Sequence, residues 1–434
     1  MEIKIEKVKK VEGELRVPSD KSISHRTVII GSLANGVSTV KHFLKAGDTL
    51  TTINIYRKLG VQIDESQGLL FIHGINLTGF KEPQDVLDMG NSGTTTRLTF
   101  GILAGQRFFS CITGDESLRK RPMKRVLNPL KLMGAHVDAR QKGEFLPSAI
   151  RGGNLRGIEY LNEKSSAQVK SAILLAGLYA QRKTAVIEPI MSRNHTENML
   201  KIMGANIKEK FTEGGYTVEI KGGNELKPID INVPADPSSA SFFVAAAVIV
   251  PNSEILLKDV LVNPTRDGFF RKLKQMGANI EYINHREEAG EPVVDIIAKY
   301  SPDMKATTVT KEEVPSMIDE IPLLALVATQ AHGETIIHGA RELRVKESDR
   351  IKATVENLKR IGVDTVEELE DGMIIKGKTK IKGGTIDSYK DHRIAMGFSI
   401  IGLICEEGIT IKDADCVYIS YPEFYDHLKK VTKS

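Results

Sequence analysis

A six-residue phrase with two apolar positions, a glycine and a small apolar residue recurs five times along the chain. It reads Tyr56-Arg57-Lys58-Leu59-Gly60-Val61, Leu130-Lys131-Leu132-Met133-Gly134-Ala135, Leu200-Lys201-Ile202-Met203-Gly204-Ala205, Leu273-Lys274-Gln275-Met276-Gly277-Ala278 and Leu358-Lys359-Arg360-Ile361-Gly362-Val363. The glycines are 74, 70, 73 and 85 residues apart. Each phrase fits the end of an amphipathic helix closed by a left-handed glycine, and an alternating strand follows, as in Ala278-Asn279-Ile280-Glu281-Tyr282. A second, more apolar kind of segment recurs six times: Thr27 to Ala34, Leu98 to Ala104, Ser171 to Ala180, Phe242 to Val250, Leu323 to Gln330 and Ile394 to Cys405. These are apolar nearly all round and are expected to be buried helices, with the Gly-ended, Lys-rich helices outside them.

Six repeats in 434 residues give about 72 residues each, room for a strand–helix–strand–helix arrangement with short loops. The length exceeds one comfortable core, so the prior is two domains of three repeats. The weakest joint, Gly222-Gly223 through Val233-Pro234-Ala235-Asp236-Pro237, lies near the midpoint and is the expected crossover between them.

Composition narrows the function classes. There are 60 Lys and Arg against 56 Asp and Glu, a formal net charge of +4, and no basic block interleaved with aromatics, so nucleic acid is not an expected partner. Three cysteines without paired spacing argue against a disulfide framework and against a Cys-held metal. The first eight residues alternate like a strand and lack the apolar core of a signal peptide. The longest nearly apolar run, Ile394 to Cys405, is far short of the roughly 20 residues a membrane span needs. A cytoplasmic protein with no membrane partner is expected.

What precedes the six apolar segments carries the chemistry. The leaders are Lys21-Ser22-Ile23-Ser24-His25-Arg26, Asn91-Ser92-Gly93-Thr94-Thr95-Thr96-Arg97, Ser165-Ser166-Ala167-Gln168-Val169-Lys170, Asp236-Pro237-Ser238-Ser239, Ser316-Met317-Ile318-Asp319-Glu320 and Lys390-Asp391-His392-Arg393. Singly, each reads as an N-cap. As a set they place Lys21, Arg26, Arg97, Lys170 and Arg393 beside helix N-termini, where a cation is unfavourable unless an anion sits between. Three further stretches, Arg119-Lys120-Arg121-Pro122, Ser192-Arg193-Asn194-His195-Thr196 and Arg344 to Arg350, add guanidinium groups suited to carboxylate and phosphate. The reading is a cleft for a small ligand with several phosphates or carboxylates.

These motifs resemble the enolpyruvyl transferases, and most nearly the branch acting on shikimate 3-phosphate. The resemblance runs almost end to end. It is carried by Pro18 to Arg26, Gly90 to Arg97, Arg121-Pro122-Met123, Ser166 to Ala172, Arg344 to Arg350 and Asp391 to Met396. It implies an α/β fold of two domains, each of three βαβαββ repeats, around an interdomain cleft. Residues 1–18 plus 235–434 would form one domain and 19–234 the other, with a second crossing near Pro18-Ser19-Asp20.

The implied reaction joins phosphoenolpyruvate to the 5-hydroxyl of shikimate 3-phosphate and releases phosphate, without metal or cofactor, on the route to chorismate and aromatic amino acids. By the same resemblance Asp319 is the base, and Glu347 and Lys21 are the proton-transfer candidates. Lys21, Gly93, Arg121, Gln168, Arg350 and Arg393 would bind phosphoenolpyruvate. Ser22, Arg26, Ser165, Ser166, Gln168, Arg193, Asp319 and Lys346 would bind shikimate 3-phosphate. A monomer is implied, and the unsubstituted Gly93 implies sensitivity to glyphosate.

Two positions depart from the pattern: Glu342 stands where some relatives have Asn, and Ile419-Ser420-Tyr421-Pro422 lacks a Lys that some relatives carry there. Asp319 has an alternative reading as a cap of the helix that follows. The alternatives in function are the sister enzyme acting on UDP-N-acetylglucosamine and a non-catalytic anion-binding protein on the same fold. The first normally has a reactive Cys in the loop that here runs from Gly114 to Pro122 without one.

Overall fold

The computed structural model describes residues 1–433. The chain divides into two compact units. The first comprises Met1–Pro18, Pro234–Glu287 and the chain from Pro292 onward, and the second comprises Ser19–Val233 with Glu288–Glu291.

One repeat shows the plan. Strand Leu87–Asp88 leads into helix Gly93–Ala104, strand Phe109–Thr113, helix Lys124–Met133, and strands His136–Ala139 and Phe145–Arg151. The first two strands pair in parallel, which the intervening helix makes possible, and the other two add antiparallel in the order first, second, fourth, third. The same βαβαββ order recurs from Glu159 to Lys221 and from Thr308 to Gly377.

The other three sheets complete themselves with strands from a distance. In the second unit Asp230–Asn232 pairs in parallel with Asn35–Lys41, taking the leading place in a sheet whose other strands all lie within residues 35–75. In the first unit Lys10–Leu15 leads the sheet of Glu254–Leu261. Ile3–Ile5 pairs antiparallel with Ile409–Lys412 of the last repeat. Residues 1–17 therefore hold two strands, in two sheets.

The six apolar helices are Lys21–Gly31, Gly93–Ala104, Ala167–Gly177, Pro237–Ile249, Ile321–Ala328 and His392–Gly402. Every residue of Pro237–Ile249 and of Ile321–Ala328 is buried. Helices Gly93–Ala104 and Ala167–Gly177 pass so close that a Cβ on Gly101 would lie 2.3 Å from the Ala172 carbonyl oxygen. All five repeat glycines are left-handed, with φ between 88° and 113°. They follow the outer helices Gly47–Lys58, Lys124–Met133, His195–Ile202, Gly268–Gln275 and Arg350–Arg360.

Each apolar helix begins two to six residues before the expected apolar onset, so five of the six polar leaders run into the first turn, whereas the leader at residues 316–320 stays outside the helix that follows. The physical reason is at the helix end. Free N–H groups there bond to side-chain oxygen, so Ser, Thr and Asp are favoured where apolar periodicity has not yet begun. Asp20 accepts from Ile23 N, Ser92 from Thr95 N, Asp236 from Ser238 N and Asp391 from Arg393 N. No helix among the described residues is long and apolar enough to cross a membrane.

Candidate active site

In the second unit two helix starts are joined by a buried chain of hydroxyls. His25 Nδ1 lies 2.7 Å from Thr52 Oγ1, which lies 2.7 Å from Thr95 Oγ1, which in turn lies 2.6 Å from Ser92 Oγ, the cap of Gly93–Ala104. Lys21, the first residue of its helix, donates to Asp48 Oδ2 at 3.2 Å. Gly93 opens the neighbouring helix. A Cβ there would sit 3.0 Å from Arg97 Nη1 and 3.5 Å from Arg121 Nη1.

Arg121 is oriented by Asn91, donating to its Oδ1 at 2.8 Å and its carbonyl at 3.3 Å, and by Ser117 Oγ at 3.2 Å. Arg97 donates to Gln168 Oε1 at 2.5 Å, and Gln168 Nε2 donates to Thr94 Oγ1 at 3.0 Å. Lys21, Gly93, Arg121 and Gln168 were read from the sequence, whereas Asp48 and Asn91, which aim two of the cations, were not. Their signal is structural only: each precedes or opens a helix and becomes a partner through folding. Lys120 of the same basic run turns away to Glu116 at the surface.

Further along, the turn before Ala167–Gly177 holds Ser165 at φ 47°, its N–H donating to the Asn162 carbonyl at 2.8 Å and its Oγ accepting from Ile190 N at 3.1 Å. Ser166 occupies the cap position but makes no side-chain cap bond, unlike four of the other five apolar helices. Arg26 is buried, and its guanidinium donates to Thr196 Oγ1 at 2.8 Å, the Ser22 carbonyl at 2.9 Å and Ser171 Oγ at 3.1 Å. Burial lowers it to about 10, so it is charged at neutral pH. Arg193, half-buried, stands two residues before helix His195–Ile202.

Lys170 does not join this set. It was read as a ligand cation, but its side chain has no exposed area and its ammonium lies between Glu188 (2.8 Å) and Glu197 (2.9 Å).

The first unit has a different character. Arg350 opens helix Arg350–Arg360, which Asp349 caps through Lys352 N. The guanidinium is buried among three carboxylates: Nε to Asp391 Oδ2 at 2.8 Å, Nη2 to Glu347 Oε2 at 2.6 Å and Nη1 to Asp319 Oδ1 at 3.2 Å. Burial alone would lower its pKa, but Asp391, Glu347 and Asp319 more than offset that and raise it. Burial likewise pushes Asp391 up, and Arg350 with His392 more than reverses it, leaving the carboxyl below its usual range.

Asp319 does not cap Ile321–Ala328. Glu320 holds that position without a cap bond, and Pro322 removes one N–H there. Instead the Asp319 carboxylate reaches Arg350, Lys346 Nζ at 3.6 Å and Arg393 Nη2 at 4.0 Å. Arg393 in turn donates to Glu320 Oε1 at 3.1 Å. Four carboxylates, Asp319, Glu320, Glu347 and Asp391, thus face Lys346, Arg350 and Arg393. An anionic ligand reaching Arg350 has to share or displace the hold of Asp319 and Glu347.

Arg344 of the same motif is turned to Asp349 and Glu368, at 2.8 Å and 2.9 Å. Tyr421, in the stretch lacking the expected Lys, is buried among Phe243, Phe424 and His427. Glu342 lies on the short turn Arg341–Val345. Among the described residues no group of three or more His, Cys, Asp or Glu could hold a metal ion.

The chain is similar to known proteins along nearly its whole length. The family model for EPSP synthase (3-phosphoshikimate 1-carboxyvinyltransferase) matches residues 5–428. A protein of that name from Persephonella marina is 68% identical over 432 residues, covering 99% of each chain, and one from Aquifex aeolicus is 54% identical over 430 residues, again covering 99% of each. Among solved structures, EPSP synthase from Acinetobacter baumannii superposes with a TM-score of 0.89 at 43% identity, over 100% of this chain and 98% of that one. The enolpyruvyl transferase NikO from Streptomyces tendae, at 15% identity, 99% and 96% coverage and a TM-score of 0.76, shares the fold. With the two-domain βαβαββ architecture, the helix-end cations and a match along nearly the whole chain all in agreement, the chain belongs to the EPSP synthase (3-phosphoshikimate 1-carboxyvinyltransferase) family.

Proposed function

We propose that the protein transfers the enolpyruvyl group of phosphoenolpyruvate to the 5-hydroxyl of shikimate 3-phosphate and releases phosphate, as a monomer in the cytoplasm. The observation that carries this reading is the Asp319 carboxylate, held by Arg350 and Lys346 rather than spent on a helix cap. A protein that only bound anions would gain nothing from a carboxylate set among its cations.

In this reading Lys21, Gly93, Arg121 and Gln168 of the second unit and Arg350 and Arg393 of the first bind phosphoenolpyruvate. Shikimate 3-phosphate is taken by Ser22, Arg26, Ser165, Ser166, Gln168 and Arg193, with Asp319 and Lys346. Asp319 accepts the proton of the 5-hydroxyl as its oxygen bonds to C2, while Glu347 or Lys21 delivers a proton to C3. In the resulting tetrahedral intermediate C3 then returns a proton, the enol double bond re-forms, and phosphate leaves as its own C2–O bond breaks. Positive groups already fixed at helix ends stabilise the developing charge without rearranging at the moment of reaction. Gly93 leaves space beside two guanidinium groups, which supports competition by glyphosate for the phosphoenolpyruvate position.

The test is phosphate release from phosphoenolpyruvate. It is expected with shikimate 3-phosphate and absent without it. Equal or greater release with UDP-N-acetylglucosamine would reassign the protein to the sister reaction.

A further inference from the structure

The buried ion cluster around Lys170 has no part in the chemistry above, yet every arm of it ends on a group assigned to shikimate 3-phosphate. Besides the two glutamates, Lys170 Nζ donates to the Ser192 carbonyl at 3.1 Å, the residue before Arg193. Glu188 accepts from Ser192 N at 3.0 Å and Ser192 Oγ at 2.7 Å, closing the same loop from the other side. It also accepts from Asn162 Nδ2 at 2.8 Å, and Asn162 Nδ2 donates to the Ser166 carbonyl at 3.0 Å while the Asn162 carbonyl holds Ser165 N. On the third arm Thr196, next to Glu197, accepts from Arg26 Nε at 2.8 Å and lies 2.7 Å from Ser171 Oγ, next to Lys170.

Lys170, Glu188 and Glu197 all have side chains with no exposed area. A buried ion pair is seldom a better source of stability than apolar residues of the same volume, because desolvation offsets the attraction. Three buried charges therefore need another reason. We infer that Lys170, with Glu188 and Glu197, is the positioning element of the shikimate 3-phosphate half-site, fixing the Ser165-Ser166 turn, the Arg193 loop and Arg26 at set distances from one another. This inference rests on the functional reading above. Burial pushes the Glu197 carboxyl up despite Lys170.

The experiment compares wild type, Lys170→Met and the double variant Lys170→Met/Glu197→Gln, which removes one charge of each sign. KM for shikimate 3-phosphate is measured at saturating phosphoenolpyruvate, KM for phosphoenolpyruvate at saturating shikimate 3-phosphate, and melting temperature alongside. KM for shikimate 3-phosphate is expected to rise at least tenfold in both variants, with kcat and the other KM within threefold and the double variant melting close to wild type. Glu188→Gln carries the same test if Lys170→Met does not fold. A folded variant whose KM for shikimate 3-phosphate stays within threefold of wild type overturns the inference, as does a loss in which both KM values and kcat move together. If wild type itself releases no phosphate with shikimate 3-phosphate, the functional reading fails first and the inference falls with it.

Discussion

Replacing Gly93 with Ala adds one methyl group at a position where the fold can accept it and the proposed ligand site cannot. Gly93 is not among the glycines with positive φ, and it opens a helix, where Ala is a better helix former than Gly by up to about 1 kcal/mol. Stability should therefore hold or rise slightly. The added Cβ lies 3.0 Å from Arg97 Nη1, roughly 0.5 Å inside a comfortable contact, and 3.5 Å from Arg121 Nη1. Arg97 is bonded to Gln168, so its displacement also moves an amide assigned to phosphoenolpyruvate. Losing one hydrogen bond to a charged group is worth about 1.5–3 kcal/mol, or a factor of roughly 10–150 in kcat/KM.

The assay is steady-state phosphate release at saturating shikimate 3-phosphate, with phosphoenolpyruvate varied and glyphosate as competitor, beside a thermal melt. KM for phosphoenolpyruvate and the glyphosate inhibition constant should both rise, and by more than KM for shikimate 3-phosphate, which Gln168 also serves. A phosphoenolpyruvate KM within twofold of wild type would falsify the placement of the ligand against Gly93. So would a variant that melts many degrees lower, because the effect would then lie in the fold.

Further outcomes follow from single groups. Asp319→Asn keeps the shape and a hydrogen-bonding oxygen but removes the base, so kcat should fall by about 10²–10⁴ with KM values little changed; stopped-flow turnover within tenfold of wild type would assign the base elsewhere. His25 is fully buried and held neutral, its pKa lowered by burial to about 3. The unfolded chain takes up this proton below about pH 6.5 and the native one does not, so His25 costs stability as pH falls, at about 1.4 kcal/mol per pH unit between those values. Urea midpoints should show this extra acid sensitivity in wild type and not in His25→Gln; parallel pH curves would refute it. Burial raises the thiols of Cys405 to about 12 and Cys416 to about 11, whereas Cys111 is half-buried in strand Phe109–Thr113. A thiol reagent at pH 8 should label Cys111 ahead of the other two in the native protein, and equal labelling of all three would contradict the burial.

The hydrophobic pattern alone determined the repeat. A glycine forced into the left-handed region at the end of each outer helix, and a segment apolar all round, are local consequences of backbone sterics and water exclusion, so six inner helices and five capped outer ones were legible before any contact was known. The cation-bearing motifs were legible too, because guanidinium groups beside helix N-termini are a conspicuous electrostatic choice.

What the tertiary structure decided was the use of each charge. Lys170 and Arg350 look alike in sequence, each a cation in the first turn of a helix. One is buried between two glutamates, and the other lies among Asp319, Glu347 and Asp391. Asp319 could cap a helix or meet a cation until folding set it against Arg350. Nothing in residues 1–17 says which sheets they join until distant strands each claim a part. Apart from Glu347, three residues from Arg350, the deciding partners lie tens to hundreds of residues away. Pattern along a chain fixes which face of an element is buried, whereas the neighbour met on that face is set only when the elements pack.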